Sequence, residues 1–199
     1  MGKKNKWVRL GYGMLGVLLL FSGCGKKKEP ETKTEVETEI SAETEETEQN
    51  EGFPAQIPAF STKDLEGNTV TESIFGEKDL TVINIWGTFC GPCVGEMPEL
   101  GEWVKNMPEE VQLIGLIVDI KGEEDTEHKE KAAAILEEAD ADFLQLIANA
   151  DFAPVMEWVI GVPTTLFVDQ EGNLVGDPIV GARVDEYKSF VEAYLSEQQ

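Results

Sequence analysis

The chain has 199 residues, of which 39 are acidic and 16 are basic, and its formal net charge at pH 7 is −23. This length provides for one domain with a hydrophobic core and a tail. The acidity repels nucleic-acid phosphates and anionic lipid head groups, so a nucleic-acid-binding role is not expected. With only three cysteines, Cys24, Cys90 and Cys93, the fold must depend on an ordinary core rather than on a disulfide framework.

Residues 1–23 have the order of parts that is typical of a bacterial lipoprotein signal peptide. The basic residues at its start are Lys3, Lys4, Lys6 and Arg9. The apolar segment 10–21 has 12 residues, which is too short to span a bilayer comfortably. The following Ser22-Gly23-Cys24 resembles a lipobox, although Phe21 stands where leucine is usual. The resemblance implies cleavage before Cys24 and a diacylglycerol on its sulfur; an ordinary secretory signal or an uncleaved anchor is the alternative.

Residues 24–52 are predicted to be the lipidated cysteine and a disordered acidic tether rich in glutamate and threonine. This segment has almost nothing to bury, and its like charges keep it extended. Without residues 1–23 the chain has 12 basic and 39 acidic residues, a net charge of −27. The other interpretation is an acidic tail that binds a partner.

Residues 53–199 are predicted to form the globular domain, with an α/β fold and a mixed central sheet flanked by helices. The domain begins with a hairpin at 60–70 that turns at Glu66-Gly67-Asn68. The next predicted elements are a strand at 81–86, a helix at 92–106, a strand at 111–120, a helix at 126–140, a strand at 143–147 and a short helix at 152–158. The last are strands at 164–169 and 174–180 and a helix at 183–195. We expect Ala133, Ile135, Leu136 and Ala139 on the inner side of the 126–140 helix.

The segment Cys90-Gly91-Pro92-Cys93 carries the chemistry. It follows a buried strand and opens a helix, so Cys90 is expected at the helix cap facing solvent, with Cys93 one turn inside. The helix dipole and the free N–H groups of the first turn favour a thiolate on Cys90. This arrangement predicts thiol–disulfide exchange, in which Cys90 attacks and Cys93 resolves the mixed disulfide.

A CxxC pair can also be half of a zinc site, but this needs a second pair or histidines at ligand spacing. The only histidine, His128, lies on a charged predicted helix and is expected to be solvated. We therefore expect no metal, and no cofactor apart from the redox-active cysteine pair itself.

Four motifs together resemble the thioredoxin superfamily, and more narrowly its membrane-anchored extracytoplasmic branch typified by the TlpA and ResA proteins. They are Val82-Ile83-Asn84-Ile85-Trp86, Cys90-Gly91-Pro92-Cys93, Glu96-Met97-Pro98 and the run from Gly161-Val162-Pro163 to Asp169. The resemblance covers residues 53 to the C-terminus. It implies a thioredoxin-like fold with an N-terminal hairpin and, between Asp119 and Gly161, an inserted strand–helix unit that shapes the substrate groove. Phe152 and Trp158 are expected either at the groove rim or in the core.

The resemblance also implies roles for three further residues. Pro163 is the cis-proline that faces the dithiol, and it exposes the backbone of Val162 to pair with a bound peptide strand. The alternative for Pro163 is a trans proline in a turn. Trp86 is the aromatic side chain beneath the site and is grouped with Val162 and Pro163 as substrate-binding; an ordinary core position is the other interpretation.

Glu96 is expected to exchange a proton with a cysteine thiol. Cytoplasmic thioredoxins place a buried aspartate on the strand before the motif, but this chain has Asn84 there, which cannot titrate. A buried carboxylate at Glu96 would have a raised pKa and could take over this role. The alternative is a first-turn acid that only favours the helix dipole.

The function predicted from these features is a lipid-anchored, extracytoplasmic thiol–disulfide oxidoreductase that reduces client proteins, because Gly91-Pro92 resembles the dipeptide of reducing thioredoxins. The expected partners are a transmembrane thiol electron carrier and oxidised clients such as apocytochrome c or methionine sulfoxide reductase. A disulfide-forming oxidase with the same site is the first alternative, and a lipoprotein that binds clients or ligands without redox chemistry is the second. Peroxidase and copper-carrier functions fit the cysteine pattern poorly.

Overall fold

The computed structural model describes residues 53–198. The predicted signal peptide, the lipid site at Cys24 and the acidic tether all lie outside the described residues, so they stay predictions. Among residues 53–198, no helix has the length and apolar character needed to cross a bilayer.

The elements follow the predicted order closely. The strands are β1 (Ser61–Lys63), β2 (Thr69–Thr71), β3 (Leu80–Trp86), β4 (Val111–Ile117), β5 (Leu144–Ile147), β6 (Thr164–Val168) and β7 (Ile179–Val180). The α-helices are α1 (Gly91–Val104), α2 (Thr126–Glu138), α3 (Ala153–Met156) and α4 (Val184–Glu197). Two 3-10 helices, Glu72–Glu77 and Ala150–Phe152, precede β3 and α3.

A five-stranded mixed sheet in the order β5–β4–β3–β6–β7 lies at the centre of the domain, as the sequence predicts. Strand β3 pairs in parallel with β4 and antiparallel with β6, so it is the central strand. Its continuous run of buried residues reflects this position, because both of its faces are covered. Strands β1 and β2 form a separate antiparallel hairpin.

Alternate residues of β3 enter two different hydrophobic clusters. Val82 and Trp86 pack with residues of α1, α2 and α4 on one face, whereas Ile83 and Ile85 pack with the 3-10 helix Glu72–Glu77 and α3 on the other. This follows from the two-residue period of a strand. Because β3 is fixed from both sides, the segment that leaves its carboxyl end and leads to Cys90 starts from a rigid position.

Three details of the sequence prediction are wrong. The predicted strand at 174–180 is ordered as a strand only at Ile179–Val180, because Gly176 has a φ of +72° and Pro178 has no N–H to donate. Strand β4 ends at Ile117 rather than at 120. On α2, Leu136 is buried and Ile135 and Ala139 pack partly buried against the core as predicted, whereas Ala133 is exposed and Ala132 takes the inner position instead.

Candidate active site

Cys90 and Cys93 form a disulfide at the amino end of α1. Cys90 is the N-cap residue, and its Sγ accepts a hydrogen bond from the backbone N–H of Cys93 at 3.2 Å. Pro92 lies in the first turn, where its missing N–H leaves no bond unmade. The cap therefore places a hydrogen-bond donor and the positive end of the helix dipole at the sulfur of Cys90, which favours its thiolate after reduction.

Cys90 is much less exposed to solvent than the sequence predicts. Cys90 is only 6% exposed, and Cys93 is completely buried. The reason is the segment before β6, which packs against the helix cap: the carbonyl oxygen of Val162 lies 3.4 Å from Cys90 Sγ. A partner must therefore approach along this segment to reach the sulfur.

The turn that leads from β3 to Cys90 is held by Asp119. Its carboxylate accepts hydrogen bonds from the backbone N–H of Thr88 at 3.1 Å and from the Thr88 hydroxyl at 2.6 Å. A Cβ at Gly87 would lie 2.5 Å from the ring of Phe89, so a larger residue there would displace this exposed side chain. These contacts fix the position from which Cys90 enters the helix cap.

An apolar groove of about 550 Å³ lies beside the disulfide. Phe89 and Ile160 are its most exposed apolar side chains, with 67% and 88% of their surfaces accessible. Pro92, Met156, Val159 and Val162 add to its apolar lining. Sequence reasoning missed Phe89 and Ile160, although both stand next to recognised motifs. Of the two aromatic residues expected at the rim or in the core, Phe152 is buried in the core, whereas Trp158 is exposed and is not among the residues that line this groove.

The peptide bond between Val162 and Pro163 is cis. Pro163 is followed directly by β6, and its carbonyl oxygen accepts a hydrogen bond from the backbone N–H of Gly181 at 2.8 Å. The hydroxyl of Thr164 donates to the carbonyl oxygen of Gly161 at 2.7 Å. The segment Gly161–Thr164 is thus held at both ends, next to the sulfur of Cys90.

Trp86 lies beneath the site and is completely buried. Its indole N–H donates a hydrogen bond of 2.9 Å to Oε1 of Gln145, a buried residue of β5. Trp86 shares a hydrophobic cluster with Cys90 and Cys93. It has no accessible surface for a substrate, so its grouping with the substrate-binding residues is corrected: it supports the cysteine pair from below.

Glu96 is buried one turn after Cys93 on α1. Its Oε1 accepts a hydrogen bond from the side-chain amide of Asn84 at 2.8 Å, and its Oε2 lies 3.2 Å from the hydroxyl of Tyr187. Burial raises the pKa of Glu96 from 4.5 to about 7, and the bonds from Asn84 and Tyr187 oppose that rise. The carboxyl can therefore exist in either protonation state near neutral pH.

Tyr187 on α4 is a further site residue that sequence reasoning missed. Its fully buried hydroxyl lies 2.6 Å from the carbonyl oxygen of Gly181 and accepts a hydrogen bond from the backbone N–H of Arg183 at 3.2 Å. Tyr187 and Glu96 are 91 residues apart in the chain. Only the packing of α4 against α1 brings them together.

His128 lies outside this site. Its ring Nδ1 is 2.8 Å from a carboxylate oxygen of Asp125, the N-cap residue of α2. Within residues 53–198, no group of three or more histidine, cysteine or acidic side chains is arranged to hold a metal ion.

The mixed sheet and the disulfide at a helix cap define a thioredoxin-like thiol–disulfide oxidoreductase. The chain belongs to the AhpC/TSA family, whose model matches residues 54–176.

Two relatives and two solved structures agree with this assignment. The thiol-disulfide oxidoreductase ResA of Bacillus thuringiensis subsp. konkukian is 28% identical over 141 residues, which cover 70% of this chain and 75% of the relative. The thioredoxin-like protein YneN of Bacillus subtilis is 31% identical over 122 residues, covering 59% and 65%. The thioredoxin domain of a thiol-disulfide oxidoreductase from Bacteroides vulgatus aligns with a TM-score of 0.56 and 26% identity, covering 72% of this chain and 97% of that one. StoA from Bacillus subtilis shares the fold: it aligns with a TM-score of 0.54 and 17% identity, and the alignment covers 69% of this chain and 99% of StoA.

Proposed function

We propose that this chain is a lipid-anchored, extracytoplasmic enzyme that reduces disulfides in client proteins. The observation that carries the reaction is the Cys90–Cys93 disulfide at the cap of α1, next to the Val162–Pro163 segment. The anchor is supported by the lipobox-like sequence that ends at Cys24, and a lipid on that sulfur would keep this third cysteine from interfering with Cys90 and Cys93.

The first chemical step is the attack of Cys90. In the reduced enzyme its thiolate attacks one sulfur of a client disulfide, so that a mixed disulfide forms and the other client sulfur leaves as a thiolate. The client chain binds along the apolar groove, with its backbone against Val162 and Pro163. Because the Val162 carbonyl oxygen lies close to Cys90 Sγ, a client backbone bound at this segment brings its disulfide next to the attacking sulfur.

The second step is resolution by Cys93. Glu96, charged, takes the proton of the Cys93 thiol, and the Cys93 thiolate attacks Cys90 Sγ. This closes the enzyme disulfide and releases the second client sulfur as a thiolate. Cys93 and Glu96 suit this transfer because they are three residues apart on one face of α1 and both are buried. The client has then gained two electrons, which a transmembrane thiol carrier must return to the enzyme.

A trapping experiment tests the exchange chemistry. A Cys93→Ser enzyme attacks but cannot resolve, so mixed disulfides with clients should accumulate and be identified by mass spectrometry. The matched control is Cys90→Ser, which retains one cysteine of the pair but lacks the attacking sulfur and should trap nothing. Equal adduct patterns from both variants would overturn the assignment of Cys90 as the nucleophile.

The direction of electron flow and the anchor need their own measurements. A reduction potential near that of strong oxidants, roughly −120 mV, would replace the reductase with the oxidase alternative. A double Cys90→Ser, Cys93→Ser protein that keeps full activity in cells would favour client binding without redox chemistry.

For the anchor, Cys24→Ser should abolish the incorporation of labelled fatty acid and release the protein from membranes; continued labelling would refute lipidation at Cys24.

A further inference from the structure

The hydroxyl of Tyr187 has more hydrogen-bond acceptors than it can serve. It carries a single proton, but the Gly181 carbonyl oxygen lies 2.6 Å away and Glu96 Oε2 lies 3.2 Å away. It also accepts the N–H of Arg183. Burial raises the pKa of Tyr187 above its ordinary value, so the hydroxyl keeps its proton at neutral pH.

The protonation state of Glu96 decides which acceptor receives this proton. A charged carboxylate is the stronger acceptor, and it draws the hydroxyl proton towards Oε2. A protonated Glu96 brings its own hydrogen, which it can donate to the Tyr187 oxygen, and the hydroxyl then donates to Gly181. The Tyr187 hydroxyl lies closer to the Gly181 carbonyl oxygen than to Glu96 Oε2, which fits the arrangement with a protonated Glu96.

Gly181 connects this choice to the Pro163 segment. Its N–H donates to the Pro163 carbonyl oxygen at 2.8 Å, while its own carbonyl faces Tyr187. Gly181 has a φ of +93°, a conformation in which a side chain is strained, and it follows β7 directly. A change at its carbonyl therefore acts on the residue that holds Pro163 in place.

We propose that Tyr187 is a positioning residue whose hydroxyl proton alternates between Glu96 and Gly181, and that it thereby couples proton uptake at Glu96 to the Pro163 segment. If protonation of Glu96 changes the affinity of that segment for a client by some factor, then by reciprocity a docked client changes the proton affinity of Glu96 by the same factor. This inference deepens the proposed function, since it rests on the proton-transfer role of Glu96. Tyr187 acts through Glu96, and its hydroxyl bonds to Glu96, Gly181 and Arg183 rather than to either sulfur.

The surroundings of Glu96 determine how its titration is interpreted. The groups that act on it are Glu99 from α1, Tyr187 from α4, the amide of Asn84 from β3 and, behind that amide, the hydroxyl of Thr165 from β6. Cys93 lies one turn before it on the same helix. In the oxidised protein Cys93 does not titrate. Glu99 is exposed and paired with Lys188 at 2.6 Å. The oxidised form therefore isolates Glu96 as the group that titrates near neutral pH in this cluster.

The coupling is tested by NMR titration of the oxidised protein. The Glu96 carboxyl carbon, assigned by its absence in Glu96→Gln, should titrate with a midpoint of about 7. The amide signals of Gly181 and Arg183 should show an inflection at the same midpoint. This part needs no substitution at Tyr187, and amide signals that do not change while Glu96 titrates would overturn the proposal.

The Tyr187→Phe variant tests the hydroxyl itself. Loss of a donor to the charged carboxylate should raise the Glu96 midpoint by about one pH unit, a roughly tenfold change in proton affinity. The inflections at Gly181 and Arg183 should disappear. The control is Tyr194→Phe, on the same helix but packed on Phe190, which should titrate as wild type. An unshifted midpoint, or inflections that persist in Tyr187→Phe, would overturn the proposal.

Activity separates this inference from the function on which it rests. If Glu96→Gln reduces a disulfide substrate at the wild-type rate from pH 6 to 8, the proton-transfer role fails. If only the NMR inflections are missing, the role of Glu96 stands and the coupling through Tyr187 fails.

Discussion

Replacement of Glu96 by glutamine should make the folded protein more stable at alkaline pH. The pKa of Glu96 is 4.5 in its ordinary state and about 7 in the folded protein. Between these values the folded protein holds a proton that the unfolded chain has released. The stability of the wild type must therefore fall as the pH rises through this window and level off above it.

The size of the effect follows from the difference in pKa. A shift of about 2.5 units corresponds to roughly 3 kcal/mol at about 1.36 kcal/mol per unit. We expect about 2 kcal/mol, because water and reorienting dipoles around the carboxylate screen part of the charge. Glutamine can keep both hydrogen bonds, accepting from Asn84 and donating to the Tyr187 oxygen, so it resembles the protonated acid.

Urea unfolding of the oxidised proteins at pH 5 and pH 8 measures this difference. Glu96→Gln should match the wild type within about 0.5 kcal/mol at pH 5 and exceed it by about 2 kcal/mol at pH 8. The matched control is Glu102→Gln on the exposed face of the same helix, whose effect should not change with pH. A difference between Glu96→Gln and wild type that is constant from pH 5 to 8 would refute the raised pKa.

Two further substitutions test the framework around the site. Gly101→Ala should destabilise the fold by about 1–3 kcal/mol in urea unfolding, because its Cβ would lie 2.6 Å from the backbone oxygen of Asp140. Gly95→Ala on the same helix has nothing within 4 Å, so it should not destabilise, and equal effects of the two would contradict the steric argument. Asp119→Ala removes the bonds that hold Thr88 and should lower the disulfide reduction rate about tenfold with the fold intact by circular dichroism. Wild-type turnover would show that this turn needs no such support.

The sequence predicts the parts of the site whose residues lie close together along the chain. Cys90, Cys93 and Glu96 occupy consecutive turns of one helix, so their spacing alone places them on a common face. The motif before β6 predicts a role for Pro163, and the structure has the cis bond that the resemblance implies. The buried state of Glu96 agrees with the expectation, whereas its role in proton transfer stays a proposal.

Features that depend on distant segments could not be predicted in this way. A helix cap suggests an exposed sulfur, and only the fold shows that Val162 covers Cys90. Tyr187 has the ordinary apolar spacing of an inward-facing helix residue, and its pattern does not indicate that a carboxylate lies opposite. The strand predicted at 174–180 is shorter in the structure because Gly176 has a positive φ and Pro178 has no N–H to donate.

The small accessible area of Cys90 also bears on which reductants the enzyme can use. Free thiols in solution, such as glutathione, must reach the sulfur of a residue that is only 6% exposed, on a chain whose residues 24–199 carry a net charge of −27. Anionic thiolates are repelled at long range and gain little contact on arrival. A protein partner gains the apolar surface of Phe89 and Ile160 when it docks. We therefore expect the redox state of the pair to be set by the proteins that fit this groove and to be kinetically insulated from the surrounding pool of small thiols.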